Sequence, residues 1–244
     1  MRLGSGTVSQ CGQWLKSDGR GSQRPSPNCG PRKGGISKPD MVVLHYTAMQ
    51  SAEDAICTLC DPEKEVSAHY VIGRDGAMTQ LVDEAARAWH AGSGRWAECD
   101  DINSRSIGIE LDNDGFSPFS ATLMDALEDL LGGILARWEI PAHHVIAHSD
   151  LAPLRKFDPG GRFDWRRLAV QDLSVWPTWG EDLPLAESLT ALGYGVAEFG
   201  VEPCLNAFRQ RFAPWRDGAE CLADRRDAAS LAAQFAVDPL GGAS

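Results

Sequence analysis

All six histidines of this chain fall between positions 45 and 148, and two of them close apolar runs. His45 follows MVVL and His148 follows HVIA, so each ends a segment suited to burial. Asp158 comes ten residues after His148, in a loop rich in Pro and Gly. Two imidazoles and one carboxylate fill three of zinc's four tetrahedral positions and leave the fourth open, which is the pattern of a catalytic site. Such a site polarises a carbonyl and acidifies water, and so suits hydrolysis. A histidine at a strand end is nevertheless more often a surface or hydrogen-bonded group than a ligand. Spacing alone leaves both readings open, because residues this far apart meet only if the fold brings their segments together.

The elements that would do so are legible. MVVLHY (41–46) reads as a buried strand, and SAHYVI (67–72), the RDG turn (74–76) and AMTQLV (77–82) as a hairpin. SIGIEL (106–111) alternates, with Ile107, Ile109 and Leu111 on one face and Gly108 and Glu110 on the other. Leu123, Leu127, Leu130, Leu131, Ile134 and Trp138 recur at helical spacing after Ser120, a suitable N-cap, and predict a helix over 120–138. The Gly132-Gly133 pair inside it costs roughly 1 kcal/mol per glycine and predicts close packing there. Pro141 ends that element, HVIAH (144–148) is another strand, and WRRLAV a short helix. The fold class is α/β, a mixed central sheet flanked by helices, although element order does not fix which strands are parallel.

Residues 1–37 carry no sustained periodicity and read as an irregular arm. The main unit spans 38–175. After the WPTWGED linker, 183–240 reads as a small unit of three amphipathic helices, expected to dock on the main unit or be marginal alone. The net charge of −11 argues against nucleic acid as a partner. No stretch approaches the ~18 apolar residues of a membrane span, and the first thirty residues contain no apolar core of a secretory signal. Seven scattered cysteines fit reduced thiols better than a disulfide framework, so a cytoplasmic setting is expected, or a periplasmic one if a signal precedes the chain. Cys57 and Cys60 form a lone CxxC on a short helix, read as packing residues rather than a redox pair.

LHYTA (44–48), VSAHYVIGRDG (66–76), AWHAG (88–92), NSRSIGIEL (103–111) and VIAHSDLAPLRKFDPG (145–160) occur in this order. Together they resemble the zinc-dependent N-acetylmuramoyl-L-alanine amidases, a family that includes phage lysozyme-like amidases and peptidoglycan recognition proteins. The resemblance runs from about 41 to 170, and its nearest branch is the bacterial enzymes acting on muropeptides. It implies one zinc ion held by His45, His148 and Asp158, a catalytic carboxylate at Glu110 and a catalytic lysine at Lys156. It places Tyr46, Trp89, His90 and Asn103 among substrate-binding residues, while His69 is expected to pack or orient its neighbours and His143 and His144 to lie at the surface. Two positions depart from the close relatives: Gly161 stands where they often have proline, and Tyr46 where some recycling enzymes have asparagine.

The implied partners are peptidoglycan fragments, and the implied reaction is hydrolysis of the amide joining the lactyl group of N-acetylmuramic acid, in ordinary or 1,6-anhydro form, to L-alanine. Two competitors remain: a recognition module that binds without cutting, and a zinc endopeptidase acting within the stem peptide. The C-terminal helices resemble, more weakly, peptidoglycan-binding modules. Nothing in the pattern fixes an oligomeric state.

Overall fold

The apolar run at 41–46 becomes a strand whose two faces meet different partners. The computed structural model describes residues 21–236; most of the expected arm, residues 1–20, lies outside the described residues, as does the end of the chain beyond 236. The strands are Gly21–Gln23 (β1), Cys29–Gly30 (β2), Met41–Tyr46 (β3), Tyr70–Ile72 (β4), Met78–Gln80 (β5), Arg87–Ala88 (β6), Ser106–Leu111 (β7) and Val145–Ala147 (β8). Six of them form a sheet in the order β1-β5-β4-β7-β3-β8, and β2 pairs with β6 separately. Strands β4, β7, β3 and β8 run parallel, whereas β5 is antiparallel to β4, so the sheet is mixed as expected.

The helices are Ala52–Leu59 (α1), Ile102–Arg105 (α2), Ala121–Trp138 (α3), His148–Leu151 (α4), Trp165–Val170 (α5), Leu185–Ala191 (α6), Val196–Phe199 (α7), Val201–Phe212 (α8) and Leu222–Phe235 (α9). Strand alternation sends Val42, Leu44, Ile107, Ile109 and Leu111 to one face, where Leu123, Leu127, Leu131 and Ile134 of α3 cover them. Each such fully buried side chain contributes about 1.5–3 kcal/mol. Ser120 caps α3, its Oγ accepting from the Leu123 N–H. The Gly132-Gly133 pair is not a close approach to another element: a Cβ at Gly132 would make only an ordinary contact, 3.6 Å from Leu173, and one at Gly133 would meet the flexible end of Arg137 on the same helix at 3.2 Å.

On the opposite face Met41, Val43 and Ile146 share a single apolar cluster with Leu185, Leu189, Leu205, Phe208 and Leu231 of the C-terminal helices. Those helices therefore form the second helical layer over part of the sheet. A buried polar link reinforces the layer. Arg211 on α8 donates to Asp150 Oδ2 (3.1 Å) and Val145 O (2.7 Å), and Tyr194 donates from its hydroxyl to Asp150 Oδ1 (2.8 Å).

Two further expectations are corrected. Residues 21–37 are not irregular throughout: β1 adds to the sheet edge, and the Arg32 guanidinium donates to the carbonyls of Ser104, Ser106 and Glu84. Strands of two or three residues show no periodicity to read. Cys57 is exposed rather than packed, and it lies beside Glu53 and Arg24; Ala55, Ile56 and Leu59 make the buried stripe of α1.

Candidate active site

Three adjoining parallel strands deliver the reactive groups at their carboxyl ends, where open α/β sheets place their ligands. His45 on β3 stands directly across from Glu110 on β7, so both project from the face opposite α3. His148 follows β8 as the first residue of α4. Asp158 arrives on the loop after α4, which is tied down at both ends. The Ser149 N–H donates to Asp158 O (3.0 Å), and Arg155 donates to Ala91 O (2.7 Å) and from Nε to Ser93 O (3.0 Å). The Ser149 contact is a backbone bond, and the Asp158–Pro159 peptide is cis.

The sequence-predicted ligands come together as a nearly equilateral triangle. His45 Nδ1 lies 2.9 Å from His148 Nδ1 and 2.9 Å from Asp158 Oδ2, and the third edge is 3.0 Å. All three residues are buried. His148 Nε2 donates to Ala91 O (2.9 Å), which leaves Nδ1 as a bare lone pair turned inward. Burial and the neighbouring His148 ring push His45 down to about 4. Two imidazoles and an ionised carboxylate converging at this spacing fit an ion with bonds of ~2.0–2.2 Å.

Glu110 completes the cluster without belonging to the ligand triangle. Its Oε2 is buried and has no hydrogen-bond partner among the described residues. Burial, then the charge of Asp158, raise its carboxyl well above the ordinary range, and the Lys156 ammonium opposes that rise. Lys156, half-buried on the Asp158 loop, thus acts electrostatically on the same spot. Tyr46 borders the site beneath two loops: a Cβ at Gly115 would lie 3.0 Å from its ring and one at Gly160 3.6 Å. Trp89 is half-buried, its backbone N–H donating to Ser67 Oγ (2.9 Å).

Two residues expected to touch substrate also have partners inside the fold. Asn103 is buried, and its Oδ1 accepts from the backbone N–H groups of His90 and Ala91, so it fixes the 88–92 loop. His90 lies against His45, with its Nδ1 3.1 Å from His45 Nε2 and its ring filling the space over Gly108. Burial and the adjacent histidines hold His90 neutral. His69 is buried as expected, its Nδ1 accepting from the Gly108 N–H (2.9 Å). His144 hydrogen-bonds Asp40 O and His143 stacks on Phe235, so both are half-buried rather than free surface groups. Gly161 makes room: a Cβ there would lie 3.0 Å from Cβ of Pro214, beyond the end of α8. Sequence reasoning missed the Arg155 and Ala91 carbonyl bracing; no residue type or spacing signals a backbone acceptor.

The profile of the N-acetylmuramoyl-L-alanine amidases matches residues 36–161, which include every group of this cluster. The chain belongs to the N-acetylmuramoyl-L-alanine amidase family. Among its relatives in that amidase family, the Escherichia coli N-acetylmuramoyl-L-alanine amidase AmiD is 39% identical over 56% of this chain and 54% of its own length, so the chain spans about half of that relative. The 1,6-anhydro-N-acetylmuramyl-L-alanine amidase AmpD of Enterobacter cloacae is 33% identical over 64% of this chain and 90% of its own. The solved structure of AmiD with anhydro-N-acetylmuramic acid-L-Ala-D-gamma-Glu-L-Lys matches with a TM-score of 0.73 at 30% identity, over 84% of this chain and 94% of that one. Residues 1–182 could not supply so large a share, so the likeness takes in part of the C-terminal helices.

Proposed function

We propose that this amidase is a zinc enzyme hydrolysing the amide between the lactyl group of N-acetylmuramic acid and L-alanine, with 1,6-anhydro-muropeptides as substrates. The observation that carries the reading is the unpartnered Glu110 carboxylate set in register beside the His45, His148 and Asp158 triangle. Family membership and the named substrates of AmpD and AmiD support the bond and the sugar. His45 Nδ1, His148 Nδ1 and Asp158 Oδ2 would hold the zinc ion. Bound there, zinc supplies Lewis-acid chemistry, polarising the scissile carbonyl and acidifying water.

The remaining work falls to the protein's own groups. Glu110 has a raised pKa and no competing partner, so it accepts the proton of the attacking water and passes it to the departing amine nitrogen. Lys156 sets a positive charge beside the oxygen that becomes anionic. Tyr46 borders the cleft, and both it and Trp89 would contact the muropeptide. A recognition module without activity is disfavoured because both ligand and proton-transfer groups are present. The role is cell-wall turnover or recycling, and the compartment is the cytoplasm; the free thiols of Cys57, Cys60, Cys99, Cys204 and Cys221 support a reducing environment. Among the described residues no helix is long and apolar enough to cross a membrane.

Mass spectrometry of digested anhydro-muropeptides, paired with metal analysis, tests this. Release of a peptide beginning with L-alanine is expected, and its loss in His45→Ala and Glu110→Ala. A cut within the stem peptide would make the protein an endopeptidase, and full activity without metal would overturn the mechanism.

A further inference from the structure

Ser106 Oγ lies 2.7 Å from Ile102 O and 3.1 Å from His90 Nε2. A carbonyl oxygen only accepts, so the hydroxyl hydrogen points to Ile102, and the hydroxyl oxygen turns lone pairs toward His90. His90 Nε2 must then carry its hydrogen. A neutral imidazole has one N–H, which leaves His90 Nδ1 bare, 3.1 Å from His45 Nε2. The bond between the two rings forms only if His45 Nε2 is the donor. That assignment strips the hydrogen from His45 Nδ1, the atom that faces His148 Nδ1 and Asp158 Oδ2.

We infer that Ser106 and His90 form a positioning relay that locks His45 in its Nε2–H tautomer and so presents Nδ1 as a ready metal ligand. His148 receives the same service directly from Ala91 O. No carbonyl does this for His45, and a second imidazole, itself oriented by Ser106, takes that place. The fold invests in holding the relay. Asn103 Oδ1 receives the N–H groups of His90 (3.0 Å) and Ala91 (2.9 Å), and glycine at 108 leaves the hollow for the ring, since a Cβ there would come within 2.4 Å of His90 Cγ. The relay gives a function to His90, Ser106, Asn103 and Gly108 together, and it makes none of them a catalytic residue.

The inference rests on the metal-centre reading above, so the test separates the two. Zinc affinity is measured by competition with a chelator for the full chain and for Ser106→Ala, His90→Leu, His90→Asn and His148→Ala, with apo-protein melting followed alongside. His90→Leu and Ser106→Ala are expected to weaken zinc binding about 10–100-fold, the usual effect of removing a partner of a metal-bound histidine. His90→Asn keeps an acceptor at the Nδ1 position and is expected to restore affinity to within about threefold, which a merely space-filling role would not do. Nitrogen-15 spectra of the zinc-loaded protein should show His45 protonated at Nε2. Unchanged affinity in both His90→Leu and Ser106→Ala, with binding lost in His148→Ala, would overturn the relay alone. Binding retained in His148→Ala would overturn the ligand assignment and the relay with it.

Discussion

Replacing Arg211 by methionine should destabilise the whole protein, although the residue lies far along the chain from every catalytic group. The side chain is buried, and its guanidinium donates to Asp150 Oδ2 and Val145 O while lying 4.3 Å over the Trp165 ring. Methionine replaces most of the apolar stem but leaves the Asp150 carboxylate buried with only the Ala147 N–H and the Tyr194 hydroxyl. Removing one member of a buried ion pair costs about 3–5 kcal/mol, mainly from the uncompensated charge left behind. Against a total stability of about 5–15 kcal/mol that is a large share. At about 2–4 °C per kcal/mol for a chain of this size, the melting temperature should fall by roughly 6–20 °C. Denaturant unfolding of the metal-free protein measures it. The double variant Arg211→Met/Asp150→Asn removes the stranded charge and should recover much of the loss. A loss below about 1 kcal/mol in the single variant, or a double variant no better than the single, would refute this account of the link between the helices and α4.

Glu110→Gln should retain zinc yet lose about 10²–10⁴ in turnover, and its metal-free form should melt higher, because the amide escapes the burial cost that raises the carboxyl. In the metal-free protein Glu110 itself should titrate above the ordinary ~4.3 of a glutamate, followed by carbon-13 NMR of its carboxyl; a midpoint at or below that value would refute the effect of burial. Chelation should lower the unfolding midpoint and zinc should restore it, by about 2.7 kcal/mol at a hundredfold excess over the dissociation constant; no shift would exclude a metal on the folded state. His69 is pushed down to about 3 by burial and the charge of Arg32, against ~6.5 when unfolded. The unfolded chain therefore binds the extra proton, and stability should decline as pH falls from about 6.5 toward 3. Titrating the unfolding midpoint should show a shallower decline in His69→Gln, and an equal slope would clear His69 of the effect.

The residues that alternate or recur were readable because burial enforces their period. Val42, Leu44, Ile107, Ile109 and the leucines of α3 sit where that period puts them. His45, His148 and Asp158 were readable as a ligand set, and only the ordered blocks around them made convergence expected. What escaped were features with no local signature. Arg211 and Asp150 are 61 positions apart, and nothing in either segment announces the other. Nor does any pattern show that Gly108 lies beneath the His90 ring, or that Asn103 Oδ1 accepts from two backbone N–H groups. Leu189, Leu205 and Phe208 of the unit expected at 183–240 bury themselves against Met41 and Val43. Deleting the helices would expose that sheet face, so a truncated catalytic region is expected to aggregate rather than work alone.

His45 and Glu110 occupy one rung of the parallel ladder between β3 and β7, so their separation is a property of strand spacing, about 4.8 Å, and not of any loop. The segment around Gly115 that crowds Tyr46 is a loop carrying none of the proposed ligands, and loops accept insertion and exchange readily. Evolution, or a protein engineer, can therefore remodel what the cleft admits by rewriting that segment while the distance between His45, the proposed metal ligand, and Glu110, the proposed proton carrier, stays fixed. Retargeting such a scaffold to other peptide amides becomes a problem of loop replacement.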